Sequence, residues 1–254
     1  VLILLPPSEG KHAPLRGKPL DLEALSSPDL TRHRSAVLDS LVALCAGPPQ
    51  TASSVLGTGP TLAGELARNA SLASAPTAAA RSVYSGVLYD ALGLADLPSA
   101  AARRATRSVL IFSALFGALR TTDRIAAYRL SGGVDLPGIG RVASSWSAPL
   151  SSVVPDLAGH GMVIDLRSGT YMPMWRPRGD LASRTVRIRV VADVDGQRLA
   201  VTHQNKVTKG RLARSLLLSS ERPRSRDDLA DHLGDLGWTV VRSADGRGLD
   251  VLAD

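Results

Sequence analysis

Three short, largely apolar runs constrain this chain more than anything else in it: VLILL (residues 1–5), VLIFSAL (109–115) and MVIDL (162–166). Each is too short for a typical globular helix, and none alternates apolar with polar residues. That is the pattern of an interior strand covered on both faces. Between them lie stretches of helical spacing. In residues 29–45, Leu30, Val37, Leu38, Leu41 and Leu44 fall on one face, and Gly47-Pro48-Pro49 ends the run. The spacing predicts further helices over 56–69, from Pro76 through 77–81, over the basic segment 100–107, over 206–220, and in the tail from Asp227.

Residues 185–191 do alternate, with Val186, Ile188 and Val190 on one face and Arg187 and Arg189 on the other. Through a turn at Asp195-Gly196 they pair with 198–202 as a hairpin. WTVVRS and LDVLAD make a last pair across a second Asp-Gly turn. Short strands and helices mix without a regular βαβ alternation and without repeats or a long linker. The expectation is a single α+β domain over residues 1–254, a compact mixed α/β unit rather than a doubly wound fold.

Composition narrows the function classes. One cysteine, Cys45, excludes an intrachain disulfide and a cysteine-rich metal site; it is expected as a small buried residue on a helix. The five histidines lack metal-ligand spacing, and His203 falls on the apolar face of its predicted strand, so neither metal nor cofactor is assigned. No apolar run approaches the ~20 residues of a membrane span, and VLILLPP is too short for a secretory leader, so a soluble cytoplasmic protein is expected. A net charge of +7 and a pI near 10.2 favour a polyanionic partner where the cations cluster.

Four segments carry candidate chemistry. PPSEGK follows the first strand and places Ser8, Glu9 and Lys11 at a strand's carboxyl edge, where open α/β sheets hold ligands; a plain surface loop is the alternative. The spacing is not that of a Walker A loop. FSALFGALRTTDRIAAYRL brings Arg120, Asp123, Arg124, Tyr128 and Arg129 after a buried strand. If it is helical, Arg120 and Arg124 share a face and form a phosphate clamp; otherwise Asp123 pairs with an arginine to hold a loop. LPGIGRVAS has the form of a helix-hairpin-helix turn, with a plain Gly-Pro turn as the favoured alternative. THQNKVTKGRLARSLLL puts Lys206, Lys209, Arg211 and Arg214 on one basic helix. No G-x-S-x-G elbow nominates a nucleophilic serine.

Taken in order, these segments resemble the YaaA family of bacterial peroxide-stress proteins. The resemblance rests on LILLPPSEGK, on Val83-Tyr84-Ser85-Gly86, and on the ungapped string S-x-L-F-G-x-L-R-x-x-D from Ser113 to Asp123. It continues through Tyr128-Arg129-Leu130, Trp146, VIDLRSGTY and a K-x-x-K-G element at 206–210. PPSEGK departs from the serine-proline-alanine-lysine loop of enterobacterial members and looks like a divergent actinobacterial branch, in which Lys11 is the safer correspondence.

The resemblance implies a cytosolic protein that limits iron-driven peroxide damage to DNA, and a compact mixed α/β fold with a positively charged cleft. DNA is then the expected partner, with Lys11, Arg120, Arg129, Lys206, Lys209 and Arg211 as phosphate contacts. The alternative is an enzyme acting on a nucleotide, nucleobase or nucleic acid around Lys11, Arg120 and Asp123. Its catalytic candidates are Ser8, Glu9, Tyr84, Asp123, Asp165 and Tyr171, and it requires them to converge on one pocket.

Overall fold

The computed structural model describes residues 1–59, 63–194, 197–200, 203–244 and 246–252. Its centre is a mixed sheet in which the three apolar runs lie side by side. β1 (Leu2–Leu5) is flanked by β3 (Val109–Ser113) and β8 (Val163–Asp165), and both pairings are parallel. Every residue of these strands is buried, including the polar Ser113 and Asp165 at the carboxyl ends of β3 and β8.

β9 (Thr185–Val194) adds to β8 in parallel, and β12 (Gly248–Leu252) adds to β9 in the same sense. Five central strands are therefore parallel. The edges are antiparallel: β4 (Gly117–Leu119) folds back on β3, β11 (Val240–Arg242) on β12, and β10 (Gln197–Ala200) on β9. Two small ribbons lie outside this sheet, β2 (Ala78–Ala79) with β5 (Arg124–Ile125) and β6 (Asp135–Leu136) with β7 (Gly140–Arg141). The mixed α/β expectation holds for one domain, but the sheet is more regular than an α+β reading implies. The crossovers that make it parallel are long and uneven, so no βαβ rhythm shows in the sequence.

The helices are α1 (Thr31–Ala46), α2 (Pro49–Leu56), α3 (Ala63–Ala70), α4 (Ala80–Val83), α5 (Val87–Leu92) and α6 (Ser99–Ser108). After β7 come α7 (Val142–Ser145), α8 (Ser147–Ala158), α9 (Gly179–Ser183), α10 (His203–Leu218) and α11 (Arg226–Asp235). Several expectations are corrected. The predicted helix over 56–69 is helical only in its second half, as α3; α2 precedes it, beginning at Pro49, where a missing N–H costs nothing, and ending at Gly57 with φ +62°. Pro76 leads into β2 before α4 begins. His203 starts α10 rather than sitting on a strand. The hairpin of β9 and β10 forms, while its Asp195-Gly196 turn, Thr202 and Asp245 lie outside the described residues.

Two glycines fix the packing. Gly117 has φ +74°, and a Cβ there would lie 2.6 Å from the Trp146 ring, whose Nε1 donates to the Ala114 carbonyl at 2.7 Å. Gly210 lets α10 press onto α5, since a Cβ there would lie 2.3 Å from the Leu88 carbonyl oxygen. Arg34 is fully buried without an ion-pair partner: it donates to the carbonyls of Ser26, Ser27, Phe116 and Ala118, tying the segment before α1 to the β3–β4 turn. Burial lowers its pKa to about 10.

Candidate functional site

The sheet order creates a crevice at a defined place. From β1 the chain crosses to β3 on one side, and from β8 it crosses to β9 on the other. Loops that diverge in this way leave a gap above the carboxyl ends of the two strands between them, where open sheets bind ligands. Here the gap is bordered by residues 6–11 after β1 and 166–171 after β8.

Lys11 occupies it. Its backbone bridges to Tyr84, and its Nζ donates to the Ser8 carbonyl at 2.7 Å and to the Glu9 carbonyl at 3.4 Å. The amine lies 4.1 Å from the centre of the Tyr128 ring and 5.5 Å from that of Tyr84. Burial, with Arg129 nearby, lowers its pKa to about 7. Beneath it runs a hydroxyl chain: Tyr84 Oη to Tyr128 Oη at 3.1 Å, and Tyr128 Oη to Ser113 Oγ at 2.7 Å. Ser113 Oγ also accepts from the Phe116 N–H at 3.0 Å. Tyr89 stacks on Tyr84 and donates to the Pro6 carbonyl at 2.8 Å. Burial raises the pKa of Tyr84, Tyr89, Tyr128 and Tyr171, so these phenols stay neutral hydrogen-bonding groups at physiological pH.

The rim is ionic. Arg129 meets the exposed Glu9 at 3.3 Å, and Arg68 meets Glu65 at 2.6 Å. Asn69 holds the Arg129 backbone by accepting from its N–H and donating to its carbonyl. Of the residues singled out by sequence, the structure thus brings Ser8, Glu9, Lys11, Tyr84, Arg129 and Tyr171 into one neighbourhood. Ser8 serves the loop itself, with Oγ donating to the Gly10 carbonyl and accepting from the Ser85 N–H.

The others go elsewhere, and each has a structural task. Residues 117–125 form strands and a turn rather than a helix, so Arg120 and Arg124 do not make a clamp. Arg120 donates to the Arg107 carbonyl and Arg124 to that of Thr77. Asp123 accepts from the Arg120 N–H and from both the N–H and Oγ of Ser26, which holds the loop through a backbone amide instead of a guanidinium. Asp165 is locked to Arg167 by two hydrogen bonds of 2.9 and 2.7 Å. Arg167 is fully buried, lies over the Phe112 ring, and also donates to the carbonyls of Tyr171 and Trp175. Both carboxylates are thus engaged by fixed protein donors.

On α10, Lys206 and Arg211 are exposed, whereas Lys209 turns inward to the Arg167 carbonyl at 3.3 Å. Burial lowers the Lys209 pKa to about 8. LPGIGRVAS folds as the β6–β7 ribbon followed by the short α7, the Gly-Pro turn rather than a helix-hairpin-helix.

Sequence reasoning missed a second feature, an open groove of about 1090 Å³ over β9 and β12. Arg184, Arg187, Arg189, Arg224, Arg226 and Arg247 line it, against Asp165, Asp180 and Asp227. The signal was present: alternation had put Arg187 and Arg189 on one face, and RPRSR repeats arginine at every second position. Arg184 pairs with Asp180 at 2.8 Å, and Arg189 with the buried Asp250 at 2.7 Å, while Arg187 and Arg224 are exposed. Among the described residues no cluster of His, Cys, Asp or Glu could hold a metal ion, and no helix is long and apolar enough to cross a membrane.

Comparison with known proteins fits this architecture. The family described as peroxide stress protein YaaA matches residues 1–241. A UPF0246 protein of Streptomyces coelicolor is 49% identical over 99% of this chain and 98% of its own length. UPF0246 proteins of Corynebacterium efficiens and Corynebacterium glutamicum are 43% and 42% identical, over 94% and 90% of this chain and equal shares of their own lengths. These relatives are actinobacterial, as the opening loop had indicated. The chain belongs to the YaaA peroxide stress protein family.

Proposed function

We propose that this protein acts in the cytosolic response to peroxide by binding the phosphate backbone of DNA, with the arginine-lined groove over β9 and β12 as the contact surface. The observation that carries this reading is the convergence of six arginines on one open groove against three aspartates. Arginine forks match phosphate oxygens bidentately, and an open groove tracks a backbone without reading bases. In this reading the groove stands in for Lys11, Arg120, Arg129 and Lys209, and its exposed Arg187 and Arg224 are the cations offered to phosphate. Lys206 and Arg211 extend the positive surface on α10.

Backbone binding also supplies a route to protection. Each neutralised phosphate releases condensed cations, so a coated duplex holds fewer metal ions against its strands. Ferrous ions released from DNA generate radicals farther from it.

The test is fluorescence anisotropy with duplex and single-stranded DNA across a salt series. Arg187→Ala and Arg224→Ala should each weaken binding uniformly across sequences and reduce the salt slope by about one unit. Lys206→Ala/Arg211→Ala is the second arm. Loss confined to that double variant moves the interface to α10, and absence of binding at low salt ends the proposal.

A further inference from the structure

The lysine at the β1 edge is not built as a surface cation. Its Nζ sits among tyrosine rings at the topological crevice, with two backbone carbonyls as its hydrogen-bond partners. A neutral amine has two N–H groups and one lone pair. The Ser8 and Glu9 carbonyls can take both hydrogens of the neutral form, which leaves its lone pair for a ligand. The aromatic faces of Tyr128 and Tyr84 also accommodate the ammonium, so the site fits both protonation states of the lysine. Beside the amine, the Tyr84–Tyr128–Ser113 chain supplies fixed hydroxyls, and at the rim the Arg129 guanidinium is engaged by the exposed Glu9 at 3.3 Å. Such an exposed pair contributes little, so a ligand carboxylate can replace Glu9.

We propose that Lys11 is an amine nucleophile that forms an imine with a small carbonyl compound bearing a carboxylate, a 2-oxo acid in its simplest form, with Arg129 binding the carboxylate. The Nζ lone pair adds to the carbonyl carbon, and one Nζ proton passes to the former carbonyl oxygen. That oxygen then leaves with the second Nζ proton as water while the C=N bond forms, so nothing is oxidised or reduced. Desolvation beside aromatic rings is a recognised way to activate a lysine for this step. A pKa near 7 leaves about half the amine neutral at physiological pH, against less than about one part in a thousand for an exposed lysine. This site does not depend on the groove over β9, and either can fail alone.

The chain has four lysines, Lys11, Lys18, Lys206 and Lys209, so the test can be read residue by residue. The full chain is incubated with pyruvate and borohydride, which reduces an imine to a stable amine, and each lysine peptide is weighed. The expected result is labelling of Lys11 at least about tenfold faster than of the exposed Lys18 and Lys206, with a half-maximal pH near neutrality. Arg129→Gln, which also removes a charge that lowers the Lys11 pKa, should slow labelling by pyruvate more than labelling by acetone, which has no carboxylate. Labelling of Lys11 no faster than of Lys18 overturns the proposal. An equal effect of Arg129→Gln on both carbonyls overturns the carboxylate assignment.

Discussion

Replacing Gly117 with alanine places a methyl group 2.6 Å from Cζ3 and 2.8 Å from Cε3 of Trp146. The indole is fully buried, and its hydrogen bond to the Ala114 carbonyl opposes any swing of the ring. Overpacking of this kind costs roughly 1–3 kcal/mol. The backbone adds to it, because φ is +74° and an L residue pays about 1 kcal/mol there. The two effects have one sign, so Gly117→Ala should lose about 2–4 kcal/mol. In a chain of this size that lowers the melting temperature by roughly 5–15 °C.

Gly138→Ala separates the two contributions. Its φ is +72°, but nothing lies within 4 Å of the added carbon, so only the backbone cost of about 1 kcal/mol applies. Trp146→Phe gives the complementary check: in the Gly117→Ala background it relieves the clash, and the double variant should be at least about 1 kcal/mol better than the sum of the singles. Urea titrations followed by far-UV circular dichroism measure all four proteins. If Gly117→Ala is no worse than Gly138→Ala, or if the double variant is additive, the packing argument is wrong.

Three further outcomes follow from the site. Asp165→Asn strands the buried Arg167 and should cost about 3–5 kcal/mol, whereas Glu9→Gln, at an exposed pair, should stay within about 1 kcal/mol in the same titration. Cys45 is buried and its thiol pKa is raised by burial, so it should resist peroxide and iodoacetamide in the folded protein and react once urea unfolds it, as mass spectrometry will show. Stability should rise as pH increases from about 7 toward 10. Native Lys11 and Lys209 titrate near 7 and 8 while the unfolded chain keeps those protons to about 10.4, and stability grows with pH wherever the unfolded state binds more protons. Above pH 10 the trend should reverse, because the four phenols with raised pKa keep their protons only when folded. Lys11→Met should flatten the rising limb in urea midpoints taken across that range, and an unchanged limb would refute its assignment.

The elements found from sequence are those whose signal is local. β1, β3 and β8 are continuous apolar runs, α1 and α10 show one-sided spacing, and β9 alternates. The position of Lys11 just past β1 was likewise readable from the strand's end. What escaped depended on distant partners. Nothing near Arg120 announces that its guanidinium meets the Arg107 carbonyl, or that Asp123 waits for Ser26, 97 residues earlier. Tyr128 and Ser113 became part of the site only because β3 ends where the Lys11 loop passes. The β9–β12 groove needs a strand from the last residues of the chain, so two arginines on one face of a strand could not reveal it alone.

β1 also has a history in the making of the protein. Its two neighbours begin at Val109 and Val163, so this interior strand is synthesised well before either edge of it can be covered. At about 5–20 residues per second, LILL waits roughly 5–20 s for the first of them. Throughout that interval a wholly apolar strand with two open hydrogen-bonding edges is presented to the cell, the condition under which nascent chains aggregate or engage chaperones. The pairing that gives the finished protein its crevice thus leaves β1 uncovered until residues 109–113 have been made.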